Sequence, residues 1–182
     1  MKNDQIKYNY IRGAKVKQNI CVIGLNNNFV AKLGKSISDA FDMFFADVTE
    51  FIKYELIDVN YARVLAGEDY VKKVEASKVK AVNSFENTLF TMDYSLLNND
   101  KNLQETKNSS YIIYLKISKD KLKELIKNDK TRSVNSNLIY DVYEFRDRLC
   151  LKYADFVVDV DNKSTNEIIK EIENLFLGVN EK

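Results

Sequence analysis

The chain has 182 residues, of which 45% are hydrophobic and 30% charged, and its formal net charge is +1. This balance is typical of a soluble globular protein and gives no sign of a nucleic-acid-binding patch. No stretch approaches the ~18 apolar residues that a membrane span needs, so we expect neither a nucleic-acid nor a membrane partner. The sequence contains no histidine, which excludes histidine-based acid–base catalysis and zinc sites with histidine ligands.

The first 19 residues are mostly polar and charged and contain no hydrophobic region of a secretion signal. We interpret residues 1–19 as an N-terminal extension and expect a cytoplasmic protein. Cys21 and Cys150 lie in apolar surroundings and far apart in the sequence. Both are therefore interpreted as buried thiols in a reducing compartment.

Apolar periodicity predicts strands that alternate with helices along one domain, residues 20–178. The predicted strands are 20–24, 88–92, 111–117 and 156–160, and the predicted helices are 29–44, 48–56, 68–85, 119–127, 138–153 and 164–177. This alternation is typical of an α/β fold with three layers, α/β/α, around a parallel sheet. In such folds ligands bind beyond the carboxyl ends of the strands, here the loops after Gly24, Met92 and Ile117.

A strand, a glycine and a helix form the framework of a phosphate-binding loop, G-x-x-x-x-G-K-[ST]. Its glycines allow backbone N–H groups to point at phosphates, its lysine holds the β- and γ-phosphates, and its hydroxyl holds magnesium. Counted from Gly24, the second glycine falls on Phe29, the lysine on Val30 and the hydroxyl on Ala31. We therefore predict that the ATP-binding loop is lost and that only Gly24 remains of it.

A second Gly-Lys-Ser sequence, Gly34-Lys35-Ser36, follows five residues later. Its own first glycine would be position 29, which is Phe29, and it lies within the first predicted helix. We interpret Gly34 as a packing glycine inside that helix. Lys35 and Ser36 would bind a nucleotide only if the phosphate loop were displaced to this position.

With Gly24 in register, the chain resembles the shikimate kinase family over about residues 17–177. The matching segments are 43–49 for M-x-F-x-D-x-D, 67–75 for G-E-x-x-F-R-x-x-E, and 146–149, 153–155 and Ser164 for the closing R-x-x-x-Y-x-x-x-A-D…S pattern. The strand 111–115 is also similar to one of the family's strands. The resemblance implies a P-loop kinase fold of the shikimate or nucleoside-monophosphate kinase type.

The resemblance also implies roles for individual residues. Asp47 matches the carboxylate that helps to hold magnesium near the reacting hydroxyl, whereas Thr49 replaces an aspartate that binds hydroxyls of shikimate. Lys72 replaces the arginine that clamps the shikimate carboxylate, and a lysine lacks the bidentate fork. Glu75 matches that arginine's carboxylate neighbour, and Arg146 matches a second substrate-binding arginine.

Other positions depart from the family pattern or match it loosely. The family's G-G-G substrate loop falls on Asp93-Tyr94-Ser95, and an acid there should repel a carboxylate substrate. Arg132 resembles the arginine of the family's mobile lid, to within one residue of register. Cys150 replaces a tyrosine of the family, and we expect it to lie in the core.

Simpler interpretations stand beside these roles. Asp47 could serve only as the cap of the following helix. Arg146 could form a surface ion pair, and Lys72 and Glu75 could be solvated helix residues.

Phosphoryl transfer depends on positioning and charge neutralisation, so the joint loss of the glycine, lysine and hydroxyl removes most of the machinery. Our first hypothesis is a pseudokinase that needs no cofactor and has a binding or regulatory role, with a protein or small-molecule partner that the sequence does not identify. The second is an active kinase that transfers the γ-phosphate of Mg-ATP to the 3-hydroxyl of shikimate, in aromatic amino-acid biosynthesis. It is suggested by Asp47, Arg132 and Arg146. The third is an unrelated α/β binding module with a different strand order.

Overall fold

The computed structural model describes residues 17–128 and 142–179. Their strands are β1 (Asn19–Ile23), β2 (Phe44–Asp47), β3 (Thr88–Thr91), β4 (Ser110–Lys116) and β5 (Phe156–Asp159). In this part of the chain they form one parallel sheet of five strands in the order β2-β3-β1-β4-β5. The predicted α/β class and parallel sheet are therefore confirmed.

Helices connect the strands and cover the sheet. They are α1 (Asn27–Ala40), α2 (Val48–Leu56), α3 (Val59–Ala66), α4 (Glu68–Asn83), α5 (Asp100–Ser109), α6 (Lys119–Asn128), α7 (Tyr143–Tyr153) and α8 (Thr165–Val179), and a 3₁₀ helix spans Tyr94–Asn98. Crossovers between parallel strands are right-handed, so the helices lie on both faces of the sheet. All five residues of β1 are buried, which places this strand at the centre of the core.

The first helix is shorter than its apolar spacing predicts, and the prediction of one helix over residues 29–44 is wrong at its end. α1 ends at Ala40, and Asp42 has a φ of 53°, a left-handed conformation that turns the chain. Phe44 then begins β2, in which it pairs with Thr88 of β3. Phe41 and Phe44 have helical spacing, but the sheet ladder outweighs that local pattern, so β2 was missed.

Two helices, α3 and α5, and the 3₁₀ helix were not predicted from the sequence. α3 is short and has no fully buried residue, although Val59 and Ala62 pack partly buried against the core. α5 buries Asn102 and Thr106, whose polar side chains carry no apolar signal. The helix predicted for 138–153 is observed from Tyr143, and its first four positions lie outside the described residues.

Candidate functional site at the carboxyl edge of the sheet

The connection between β1 and α1 consists of only Gly24, Leu25 and Asn26. The Asn26 side chain accepts a hydrogen bond from the backbone N–H of Phe29 at 2.9 Å, and its carbonyl accepts one from the N–H of Val30 at 2.9 Å. Asn26 is thus the N-cap of α1, and asparagine is a strongly preferred residue there. The backbone is therefore helical from Asn27 onward.

Val30 packs directly on Gly24. The valine is 2% exposed, and a Cβ added to Gly24 would lie 2.5 Å from Val30 Cγ2 and 3.2 Å from the carbonyl oxygen of Leu115. Gly24 is therefore required for close packing between the loop, the helix and β4. The side chain at the position of the family's lysine belongs to the apolar core.

Gly34 lies inside α1, as predicted, where the helix crosses β3. A Cβ at this position would lie 2.6 Å from Thr91 Cγ2, so the glycine allows the helix to approach the sheet. Lys35 is exposed, and Ser36 donates a hydrogen bond to the carbonyl oxygen of Lys32 in the preceding turn. Both residues lie in the third turn of α1, about 12 Å along the helix from its first residue.

A cavity of about 200 Å³ opens at the carboxyl edge of the sheet. Its lining residues come from the β1–α1 connection, the start of α1, the segment after β3, and α7: Leu25, Asn27, Asp93, Tyr94, Ser95 and Arg146. The structure therefore brings Arg146 together with Asp93, Tyr94 and Ser95, where the resemblance placed the substrate loop. Sequence reasoning had named Arg146 and Asp93 but not Asn27.

Asp93 joins two of the elements that form this cavity. Its Oδ2 accepts a hydrogen bond from Asn27 Nδ2 at 2.8 Å, and its Oδ1 accepts one from the backbone N–H of Ser95 at 2.9 Å. The carboxylate thus caps the 3₁₀ helix and lies beside the first turn of α1. A helix N-terminus favours a negative charge. The Asp93 carboxylate therefore occupies a position that an anionic ligand would otherwise take.

Arg146 lies on α7, and the next residue, Asp147, links this helix to β4. The buried Tyr114 donates a hydrogen bond from its hydroxyl to Asp147 Oδ1 at 2.8 Å, and Lys116 forms an ion pair with Asp147 Oδ2 at 3.4 Å. Burial raises the pKa of Tyr94 to about 12, and the nearby positive charge of Arg146 opposes that rise. Burial also raises the pKa of the Cys150 thiol, and the positive charge of Arg146 acts to lower it.

Asp47 lies at the carboxyl end of β2 and caps α2. Its Oδ1 accepts hydrogen bonds from the backbone N–H groups of Thr49 at 2.9 Å and Glu50 at 3.3 Å. Burial raises the pKa of Asp47, and these two hydrogen bonds act in the opposite direction. Thr49 consequently lies in the first turn of α2, two residues after Asp47.

Lys72 and Glu75 lie on α4, one turn apart. Lys72 is exposed, whereas Glu75 is partly buried. Burial raises the pKa of Glu75, Glu68 and Asp93 raise it further, and Arg63 and Lys72 lower it. Neither Lys72 nor Glu75 lines the cavity beside Arg146.

Arg132 lies outside the described residues. Across residues 17–128 and 142–179, no group of three or more cysteine, aspartate and glutamate side chains is arranged to hold a metal ion. In the same ranges, no helix is both long and apolar enough to cross a bilayer.

One signal in the sequence could have revealed the short connection. Asn26, Asn27 and Asn28 follow soon after β1, behind Gly24 and Leu25, and asparagine is favoured at the residue before a helix. That preference predicts a helix that begins two residues before Phe29. The hydrogen bond between Asn27 and Asp93 had no such signal, because it joins residues 66 positions apart.

The comparisons with known proteins agree with this geometry. The family model for shikimate kinase matches residues 31–176, more than half of the chain. The chain belongs to the shikimate kinase family. The matched range begins one residue after Val30, so it does not include the β1–α1 connection.

Individual relatives are distant but extend along most of the chain. The shikimate kinase of Dictyoglomus turgidum is 24% identical over 165 residues, which cover 86% of this chain and 96% of the relative. The shikimate kinase of a Sulfurihydrogenibium species is 22% identical over 158 residues, which cover 85% of this chain and 95% of the relative. The family assignment thus extends over nearly the whole length of these enzymes.

Solved structures share the fold. The shikimate kinase of Bacteroides thetaiotaomicron has a TM-score of 0.75 at 16% identity, covering 87% of this chain and 97% of that one. That of Aquifex aeolicus has a TM-score of 0.73 at 23% identity, covering 89% and 98%. A gluconokinase from Sinorhizobium meliloti has a TM-score of 0.54 at 16% identity, covering 90% and 99%. The sheet order therefore is that of P-loop kinases, which excludes our third hypothesis of an unrelated module.

Proposed function

We propose that this member of the shikimate kinase family does not transfer phosphate from ATP and keeps the fold for a binding or regulatory role. The observation that carries the proposal is the connection of three residues between β1 and α1. A phosphate loop must wrap around the phosphates with several free backbone N–H groups. Here the chain enters the helix at Asn27, and the N–H groups of Phe29 and Val30 already donate to Asn26.

The residues at this turn do not fit Mg-ATP. Val30 supplies no positive charge and is buried, and Ala31 supplies no hydroxyl for magnesium. Asp93 places a carboxylate beside the start of α1, where the triphosphate would carry its own negative charge. Removal of a single donor to a transition-state charge typically lowers a rate by about 10²–10³. Several such groups are replaced here, which supports the loss of phosphoryl transfer.

The cavity beside Arg146 supports a role in binding. It has room for a small polar molecule, and its lining offers the Arg146 guanidinium together with the Asn27 amide. We propose that this cavity is the ligand site, with Lys72 and Thr49 as outer substrate-binding positions. The buried thiols of Cys21 and Cys150 suit a reducing cytoplasm, which is the location we propose.

One observation favours the alternative, an active shikimate kinase. Arg146 lines the same cavity as the segment where the resemblance places the substrate loop, and Asp47 ends β2 at the same edge of the sheet. In that alternative Asp47 is the magnesium-side carboxylate, Arg132 is the lid arginine, and Lys35 and Ser36 contact the nucleotide.

A nucleotide-binding and turnover experiment separates the two functions. We expect no thermal shift with Mg-ATP and no ADP formation with ATP, magnesium and shikimate. A ligand present at 100 times its Kd would stabilise the fold by about 2.7 kcal/mol, which thermal unfolding detects readily. The matched control is the Lys35→Ala variant, because Lys35 is exposed and its loss should leave the fold intact. If the wild type forms ADP and the Lys35→Ala variant does not, the proposal is overturned.

A further inference from the structure

Two side chains of opposite charge line the cavity at the carboxyl edge of the sheet. Arg146 comes from α7, and Asp93 comes from the segment after β3. No ion pair among the described residues includes either of them. The cavity therefore offers a positive and a negative group that do not neutralise each other directly.

The Arg146 guanidinium is not bound by the acid that follows it in the sequence. Asp147 accepts a hydrogen bond from the Tyr114 hydroxyl at 2.8 Å and pairs with Lys116 at 3.4 Å, so both of its oxygens are engaged on the β4 side. Arg146 is partly buried, and the planar fork of a guanidinium matches a carboxylate with two parallel hydrogen bonds. Arg146 is therefore suited to hold the carboxylate of a ligand.

Asp93 is held in place by two uncharged donors. Its oxygens accept hydrogen bonds from the Asn27 side-chain amide at 2.8 Å and from the backbone N–H of Ser95 at 2.9 Å. These bonds fix the carboxylate but supply no positive side chain, and each carboxylate oxygen can accept a second hydrogen bond. Asp93 is therefore suited to accept a hydrogen bond from a cationic group of a ligand.

The third ionisable residue of the lining, Tyr94, adds no charge. Burial raises its pKa to about 12, Arg146 lowers that pKa and Asp93 raises it. The phenol is therefore neutral near pH 7. The charges that a ligand meets in this cavity are those of Arg146 and Asp93.

The size and the charges of the cavity restrict its ligand. Its volume of about 200 Å³ lies below the roughly 300–1,000 Å³ of pockets for drug-sized molecules, so the ligand is small. A ligand with one negative charge is attracted by Arg146 and repelled by Asp93, and the reverse holds for a ligand with one positive charge. A ligand that carries both charges is attracted by both residues.

We propose that this cavity binds a small zwitterion, an amino acid, with its carboxylate at Arg146 and its ammonium at Asp93. The inference rests on the proposed function, in which the cavity is the ligand site, and it adds the chemical class of the ligand. Shikimate carries a carboxylate but no ammonium, so it lacks the group that Asp93 would bind.

Dissociation constants of matched ligands test the proposal. They are measured by NMR titration of the isotope-labelled full chain near neutral pH. The zwitterions are glycine, β-alanine and γ-aminobutyrate, which differ in the spacing between their charges. Each is compared with the acid that lacks the ammonium (acetate, propionate or butyrate), with the amine that lacks the carboxylate (methylamine, ethylamine or propylamine), and with shikimate. We expect at least one zwitterion to bind about tenfold more tightly than its matched acid and amine, because hydrogen bonds to charged groups contribute on that order.

Two variants identify the residues that recognise each charge. Asp93→Asn keeps an oxygen for the Ser95 N–H but removes the negative charge, so we expect zwitterions to bind more weakly and the matched acids more tightly. Arg146→Met should weaken both zwitterions and acids and should not weaken the amines. The matched control is Arg148→Met, an exposed arginine on the same helix that does not line the cavity, and it should change none of these constants.

Three outcomes would overturn the proposal. The first is a matched acid or shikimate that binds the wild type as tightly as every zwitterion does. The second is an Asp93→Asn variant that weakens all ligands equally, since a purely structural role of Asp93 would have that effect. The third is the absence of any chemical-shift change at Arg146 with all of the zwitterions.

Failure of this inference can be distinguished from failure of the proposed function. Shikimate that binds at Arg146 more tightly than the zwitterions would overturn the inference and leave the cavity as the ligand site. ADP formation from ATP would overturn the proposed function and leave a measured preference for zwitterions unchanged.

Discussion

Asp47 satisfies a structural requirement at a position for which the resemblance implies a functional role. Its carboxylate caps α2 through the N–H groups of Thr49 and Glu50, and its pKa is raised chiefly by burial. Asparagine can make the same cap, whereas alanine cannot. Substitution at this single residue therefore separates the cap from the charge.

We predict that Asp47→Ala lowers the free energy of unfolding by about 1 kcal/mol, while Asp47→Asn keeps nearly all of it. Because the folded-state pKa of Asp47 is raised, the fold binds its proton more tightly than the unfolded chain does. Its contribution to stability is therefore present at low pH and is lost as the pH rises from about 3.9 through the raised folded value.

Urea unfolding of the wild type and both variants over a pH series measures these effects. The stability of Asp47→Asn relative to the wild type should rise with pH across that window and then level off. Equal losses in the alanine and asparagine variants would contradict a role as helix cap.

At the scale of elements, α1 packs closely on the sheet at Gly34. Gly34 faces Thr91, Leu89 and Phe45, with the Thr91 methyl group closest. Helix periodicity was sufficient to place Gly34 inside a helix. It was not sufficient to identify β3 as the contacting strand, since that contact joins residues 57 positions apart in the sequence.

We predict that Gly34→Ala destabilises the protein, because its Cβ would lie 2.6 Å from Thr91 Cγ2. Overpacking of this kind costs about 1–3 kcal/mol, and the better helix propensity of alanine offsets about 1 kcal/mol. In a Thr91→Ser background the clashing methyl group is absent, so the same change should be neutral or stabilising. A double-mutant cycle by denaturant unfolding, with Thr91→Ser alone as reference, measures the coupling. Equal effects in the two backgrounds would rule out this contact.

At the scale of the whole molecule, the two cysteines report on the integrity of the core. Cys21 in β1 and Cys150 in α7 are both 0% exposed, and burial raises the pKa of each thiol. A thiol must be accessible and ionised to react. The two residues belong to different elements on the central part of the fold, so both become accessible together only when the core opens.

We predict that iodoacetamide labels neither cysteine in the native protein and labels both once the chain unfolds. Mass spectrometry of samples taken over time in increasing urea should show doubly labelled and unlabelled chains, with little of the singly labelled form. Fully denatured protein provides the reference for complete labelling. Rapid labelling of Cys150 alone would instead mean that α7 opens by itself.

The class of fold could be predicted from the alternation of apolar strands and amphipathic helices, because each of the long helices carries its own periodic stripe. β2 could not, since four residues next to a helix end give no separate period, and its pairing with β3 decides its conformation. At the site, the resemblance named Arg146, which lines the cavity at the carboxyl edge of the sheet. The hydrogen bond from Asn27 to Asp93 could not be predicted, because the two residues lie 66 positions apart in the sequence.

The side-chain amide of Asn19 affects the alignment in which β1 and β3 can pair. Its two hydrogen bonds join the first residue of β1 to Phe85 and Thr88, across a separation of more than 60 residues. A slip of one position between β1 and β3 would leave the buried amide without either bond and would also turn every side chain of the strand to the wrong face. Asn19 thus makes misaligned sheets energetically unfavourable, and β3 can join the central strand in one alignment only.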